Sequence, residues 1–148
     1  MIPDANGTID GLIAAVPGDD WAALDLREAA YDRLPATHLI SHDLNHQPEI
    51  AVYAIPDDKH QAPSADHPVL LSYIDVVAQG YLREFGEGGA TRFFTTTDGW
   101  DMPVLDDRAA PVYPRHQRLT RSETAFVDDQ LRGLSARIMQ PPRGSVWT

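Results

Sequence analysis

The chain has 148 residues, 43% of them apolar and 23% charged, and a formal net charge of −10 at pH 7. That is the size and balance of one ordinary globular domain, long enough to bury a real core. The acidic excess argues against nucleic acid or an anionic membrane surface as a partner, and the absence of cysteine excludes disulfides, thiol catalysis and thiolate metal sites.

Asp4-Ala5-Asn6-Gly7 reads as a turn, and Ile9 to Val16 (IDGLIAAV) as a short, largely apolar strand broken by Pro17-Gly18. Asp19 or Asp20 then caps a helix by accepting from free backbone N–H groups. Within Asp20–Arg33 (DWAALDLREAAYDR), Trp21, Leu24 and Glu28 follow helical spacing. Seven steps of 100° bring Glu28 back to within about 20° of Trp21, while Arg27 points well away from that face. A carboxylate on the side that Trp21 and Leu24 would bury is a candidate base, because desolvation raises its pKa toward neutrality. A helix-end Glu paired with Arg33, or lying at the rim of the core, leaves the same pattern.

Arg33 to Leu44 (RLPATHLISHDL) reads as a strand weakened at Pro35, turned by Asn45-His46-Gln47-Pro48 into a β-rich strand over Glu49 to Ile55, and the two predict a hairpin. Pro56 to Pro68 is a long polar loop. Val69 to Phe85 predicts a helix, with Leu70, Ile74, Val77, Tyr81 and Phe85 along one face and Gly86-Glu87-Gly88-Gly89 ending it. Thr91 to Thr97 (TRFFTTT) fits a strand or a short helix, and Asp98-Gly99 a turn before Trp100. Residues 101–118 show no periodicity and read as an ordered loop held by ion pairs and prolines. Thr120-Arg121-Ser122-Glu123 is a capping box that opens a last helix, with Phe126, Val127, Leu131 and Leu134 on its apolar side. Pro141-Pro142 stops it, leaving a loose tail from about residue 141. No apolar run approaches a membrane span, MIPDANGT is not of signal-peptide form, and the expected compartment is the cytoplasm.

Three constellations could carry chemistry. His38, His42 and His46 recur every four residues, but on an extended chain each step spans about 13 Å, too far for one ion; solvent-facing histidines are the better reading. Asp106-Asp107-Arg108 could be a carboxylate pair for acid–base work, with a loop salt bridge the commoner fate of such a cluster. Tyr73 lies about 60° off the apolar stripe of its helix, with Gly80 almost directly above it. A small residue at Gly80 would let another element approach, with the phenol at the edge of the gap; by itself, a core tyrosine with its hydroxyl at the surface is the better reading.

The order of an apolar strand, LDLREAAY, VYAI, YIDVVAQG and a Gly-Trp turn resembles the gamma-glutamylcyclotransferase-like family over roughly residues 9 to 115. The resemblance implies an α+β fold, a small mixed β-barrel with flanking helices, as a single domain over residues 1–148. It implies release of 5-oxoproline from a γ-glutamyl compound such as those of glutathione metabolism, without cofactor or metal. In the family's LD-x-x-E helix motif the Glu is the catalytic acid/base, and Leu24, Asp25 and Glu28 occupy those positions. The tyrosine of its Y-x-x-x-x-x-x-G helix helps bind the glutamyl group, and Tyr73 with Gly80 matches it. Asp98-Gly99-Trp100 and the pattern from Asp107 to Arg115 look like features of a bacterial branch and carry no catalytic role.

The chain departs from the family in having no YGS strand-loop, whose backbone N–H groups hold the substrate. The expectation is an N-terminally incomplete barrel, weak or inactive alone. The alternative is a non-catalytic barrel module that binds a small amino-acid-like ligand or a protein partner, or self-associates through an open barrel edge.

Overall fold

A computed structural model describes residues 7–59 and 61–141 of the chain. The Asp4-Ala5-Asn6 part of the expected first turn and the tail beyond 141 lie outside those residues. The chain divides into two compact units, Met1–Ala5 with Gly11–Gln61 and Asn6–Asp10 with Ala62–Thr148.

In the first unit the Asp20 carboxylate accepts from Ala23 N–H at 3.0 Å and so caps helix α1, Trp21–Arg27. Strands β1 (Asp32–Pro35) and β2 (Ala51–Ala54) pair antiparallel, with Arg33 opposite Tyr53 and Leu34 opposite Val52. The expected hairpin is therefore present but far shorter than Arg33–Leu44 against Glu49–Ile55. Pro35 has no N–H to continue the ladder, and the chain turns into a short 3-10 helix at Thr37–Leu39. One side-chain and one backbone contact close it: Ile50 N–H donates to Thr37 Oγ1 at 2.8 Å, and Ala36 N–H to the Ile50 carbonyl at 2.8 Å. Among the described residues, Ala36 and Ile50 are the buried apolar residues of this unit.

The second unit alternates strand and helix. Strand β3 (Val69–Leu70) leads into α2 (Leu71–Thr96), β4 (Pro103–Leu105) into α3 (Arg121–Gly133), and α3 into β5 (Arg137–Met139). The three strands are parallel in the order β3-β4-β5, as expected when helices make the crossovers. Its core is Leu71, Ile74, Ala78, Phe94, Val104, Val127 and Leu131, with Trp100 and Phe126 packed against it. Trp100 closes the end of α2, its indole N–H donating to the Phe94 carbonyl at 2.9 Å.

α2 starts two residues later than expected. As expected, the glycines break it: Gly86, at φ 65° and ψ −173°, is non-helical, so Leu71–Thr96 is two helical segments across a kink, and that backbone state is open in practice to glycine alone. A Cβ at Gly89 would collide with the Phe85 side chain, so the chain continues as helix past the kink only because both positions lack one. Thr91–Thr96 are helical, and Thr96 and Thr97 hydroxyls donate to the Arg92 and Phe93 carbonyls at 2.7 and 2.6 Å, covering acceptors that the helix end leaves open. The capping box of α3 forms as read: Thr120 Oγ1 accepts from Glu123 N–H, and Glu123 accepts from Thr120 N–H at 2.6 Å.

Two expectations fall. Among the described residues there is no closed barrel: the strands form one sheet of two and another of three, whereas closure needs every strand edge paired. Nor is Ile9–Val16 a strand. It has no ladder partner among the described residues, and Ile9, Leu12 and Ile13 are exposed. An apolar run becomes a strand only when another strand accepts its hydrogen bonds.

Candidate functional site

Glu28 follows the last residue of α1, and its N–H still donates to the Leu24 carbonyl at 2.9 Å. Its side chain keeps 28% of its exposure, and Oε1 accepts from Arg27 Nε at 2.9 Å. Arg27 is 68% exposed, in keeping with its place off the Trp21–Leu24 face, and its Nε reaches round to Glu28, which has already left the helix at φ −100° and ψ 29°. Oε2 has no protein donor among the described residues. Trp21 and Leu24 are half-buried, and no residue of α1 is fully buried.

Arg33, the alternative partner for Glu28, instead binds Asp25, with Nε 3.1 Å from Oδ1. The same oxygen accepts from the Tyr53 hydroxyl at 2.5 Å, and the Arg33 guanidinium lies 4.7 Å from the centre of the Trp21 ring, within cation–π range. Asp25, Arg33, Tyr53 and Trp21 thus bind α1 to both strands of its unit. Partial burial and then the hydrogen bond to Asp25 push the Tyr53 phenol above its ordinary value, with Glu28 adding to the rise. The sequence reading overlooked this group, although Arg33 and Tyr53 are cross-strand partners on one sheet face.

Tyr73 belongs to the second unit, on the first turn of α2. It is 47% exposed, and the Tyr113 ring meets it edge to face with centroids 5.0 Å apart. The close approach expected at Gly80 is absent, since a Cβ there would meet open space. The side chain next to Tyr73 is better tied. Ser72 is buried and donates twice to the buried Asp107, from its backbone N–H at 2.8 Å and its hydroxyl at 2.5 Å.

Asp106-Asp107-Arg108 does not form a catalytic carboxylate pair. Asp106 accepts from the Arg108 N–H and from Gln140, Asp107 faces Ser72, and Arg108 turns to other elements. Its Nε and NH2 donate to both oxygens of the buried Asp75 at 2.7 Å, and NH1 to Asp128 at 2.6 Å. The hydrogen bonds to Asp75, against partial burial and helped by Asp128, hold the guanidinium firmly protonated. A shallow cleft of about 370 Å³ opens beside Arg108, Asp128, Leu131 and Ile138 but takes in neither Glu28 nor Tyr73. The Arg108 guanidinium beside the cleft is already engaged in ion pairs with Asp75 and Asp128.

His38 and His46 are exposed, as expected, but His42 is half-buried and accepts from the Leu44 N–H through Nδ1. Among the described residues no group of three or more His, Asp or Glu side chains could hold a metal ion, and no helix is long and apolar enough to cross a membrane. Comparison with known proteins returns no matching family model, no matching curated protein and no matching solved structure.

Proposed function

We propose that the chain is gamma-glutamylcyclotransferase-like and forms 5-oxoproline from a γ-glutamyl compound, with Glu28 as acid/base. The reading rests on the LD-x-x-E motif and on one observation of geometry. The Glu28 side chain keeps 28% of its exposure and is held through Oε1 by Arg27, while Oε2 meets no protein donor among the described residues.

Glu28 takes a proton from the α-ammonium group of the substrate. The freed amine attacks the γ-carbonyl carbon of the same molecule, and a five-membered lactam closes as the bond from that carbon to the leaving nitrogen breaks. Glu28 delivers its proton to the leaving amine, and the proton that the ring nitrogen sheds on closure follows the same route. One carboxylate serves both steps because they occur in succession. The attack is intramolecular, so holding the chain folded supplies much of the acceleration.

Incubation with γ-glutamylalanine and chromatographic detection of 5-oxoproline tests the reading, on the chain as it stands and with a YGS-type strand-loop fused ahead of Met1. Product that falls by about 100-fold or more in Glu28→Gln, the scale of general acid–base catalysis, supports it. Absence of product in both formats overturns it.

A second reading, a module that binds a protein partner or a second copy, is favoured by the surface of the first unit. Leu12, Leu26 and Leu39 are 72%, 80% and 70% exposed beside a two-stranded ribbon, a structure marginal by itself in water. Elution volume that shifts with protein concentration supports it, and a constant monomer volume counts against self-association.

A further inference from the structure

Two Asp-Gly pairs lie among the described residues, at Asp10-Gly11 and Asp98-Gly99, and the fold treats their carboxylates in opposite ways. Asp10 is held at both ends of the residue. Arg92 donates to its Oδ2 from Nε at 3.0 Å and from NH2 at 2.6 Å, and the Tyr81 hydroxyl donates to its backbone carbonyl at 2.7 Å. Asp98 is exposed. Among the described residues its carboxylate meets no donor, and the Gly99 N–H meets no acceptor.

An Asp-Gly pair is reactive because glycine has no Cβ to keep its own nitrogen away from the preceding side chain. The glycine nitrogen forms a bond to the aspartate Cγ, one water leaves, and a five-membered succinimide results. Water then adds to either ring carbonyl. Breaking the bond from nitrogen to Cγ restores aspartate. Breaking the bond from nitrogen to the main-chain carbonyl carbon leaves the peptide link on Cγ and the carboxylate on the old main chain, which is isoaspartate. One water leaves and one returns, so mass and charge are unchanged. Nor can the turn discard its glycine: Gly99 sits at φ 90°, a value that glycine adopts without strain. The reactive pair is thus built into the link between α2 and β4.

We infer that Asp98 is a site of spontaneous isoaspartate formation in the folded protein, and that Arg92 and Tyr81 protect the identical pair at Asp10. The isomer routes the main chain through the aspartate methylene and lengthens it by one carbon. The link has fixed ends that leave no slack for it. Before it, the Thr97 hydroxyl is bound to the Phe93 carbonyl at 2.6 Å. After it, the Trp100 indole donates to the Phe94 carbonyl at 2.9 Å, and the Trp100 carbonyl accepts from Arg137 N–H at 3.2 Å. The Trp100 ring also lies against the buried Phe94, with centroids 5.3 Å apart. Isomerisation at Asp98 therefore destabilises the second unit where α2 hands over to the sheet.

The test is ageing of the full chain at neutral pH and physiological temperature, both folded and in urea. Peptide mapping with electron-transfer fragmentation then distinguishes isoaspartate from aspartate at equal mass. In urea the two pairs convert alike. In the folded protein Asp98 converts about fivefold faster than Asp10, the scale of an exposed ion pair. Arg92→Gln, at an exposed side chain, closes that gap by speeding Asp10 alone. Asp98→Glu, whose ring closure would be six-membered and slow, stops conversion at that position. The aged chain unfolds at lower urea than the fresh chain, and aged Asp98→Glu does not. Asp98 that stays aspartate in the folded protein while it converts in urea overturns the site. Equal conversion of the two folded pairs, or a difference that persists in urea, overturns the protection of Asp10. An isomerised chain with an unchanged urea midpoint overturns the destabilisation.

Discussion

Arg108 and Asp75 meet as a two-pronged pair, Nε and NH2 each 2.7 Å from one oxygen of a carboxylate that is 6% exposed. The pair joins the start of α2 to the loop after β4, and Asp128 of α3 takes the remaining nitrogen. Replacing Arg108 by Met would leave Asp75 charged, buried and alone, which costs about 3 to 5 kcal/mol. Replacing Asp75 by Leu in the same protein recovers most of that loss, because an apolar pair of similar volume has no hydration to give up. Urea midpoints of the two single variants and the double variant complete the cycle. A double variant as unstable as Arg108→Met would show that shape, and not the stranded charge, sets the cost.

Gly80, inside the first segment of α2, and Gly86, at its kink, respond oppositely to alanine. At Gly86, φ is 65° and ψ −173°, so Gly86→Ala costs about 1 to 3 kcal/mol of backbone strain. At Gly80 the backbone is helical and a Cβ meets nothing, so Gly80→Ala stabilises by about 0.5 to 1 kcal/mol. Thermal denaturation of the two variants side by side checks the sign of each.

Phe94 is wholly buried, with Trp100 and Phe126 rings 5.3 and 6.2 Å away. Phe94→Ala costs about 3 to 5 kcal/mol by lost burial and the cavity left behind, and Phe94→Leu recovers a good part of it. Both appear as shifts in denaturant midpoint at unchanged slope.

Glu123 sets a pH dependence whose sign follows from its cap. The Thr120 N–H, opposed by desolvation and helped by Gln79 and the Thr120 hydroxyl, holds the Glu123 carboxyl below its ordinary 4.5. The folded state thus prefers the ionised form. The stability it contributes is complete above the unfolded value, near 4.5, and is lost as pH falls through the lower folded value. Glu123→Gln removes that slope, so the two stability curves run parallel at neutral pH and converge below about pH 4.5. Curves that stay parallel down to pH 3 would contradict this.

The capping box at Thr120, the Asp20 cap and the periodic run from Ile74 onward were legible because each rests on contacts within a few residues. The strands were less so. β3, β4 and β5 have two or three residues each, too short for an alternation to show, and their parallel pairing depends on helices that bring distant segments together. Ile9–Val16 reads as a strand from composition alone, yet a strand is defined by a partner. Around Glu28, Asp25 and Arg33 were visible as charges, but their joint bond with Tyr53 requires the register of β1 against β2. Asp107 was seen as one member of an acidic cluster, and its grip on Ser72 spans 35 positions along the chain.

The order β3-β4-β5 also decides when the second unit becomes whole. β4 lies in the middle, and Val104 and Leu105 pair on one side with Ile138 and Met139. A ribosome adding about 5 to 20 residues per second takes about 2 to 7 s to pass from residue 105 to residue 139. Throughout that interval the central strand has one flank without a partner. Assembly of this unit therefore waits until β5 has been synthesised.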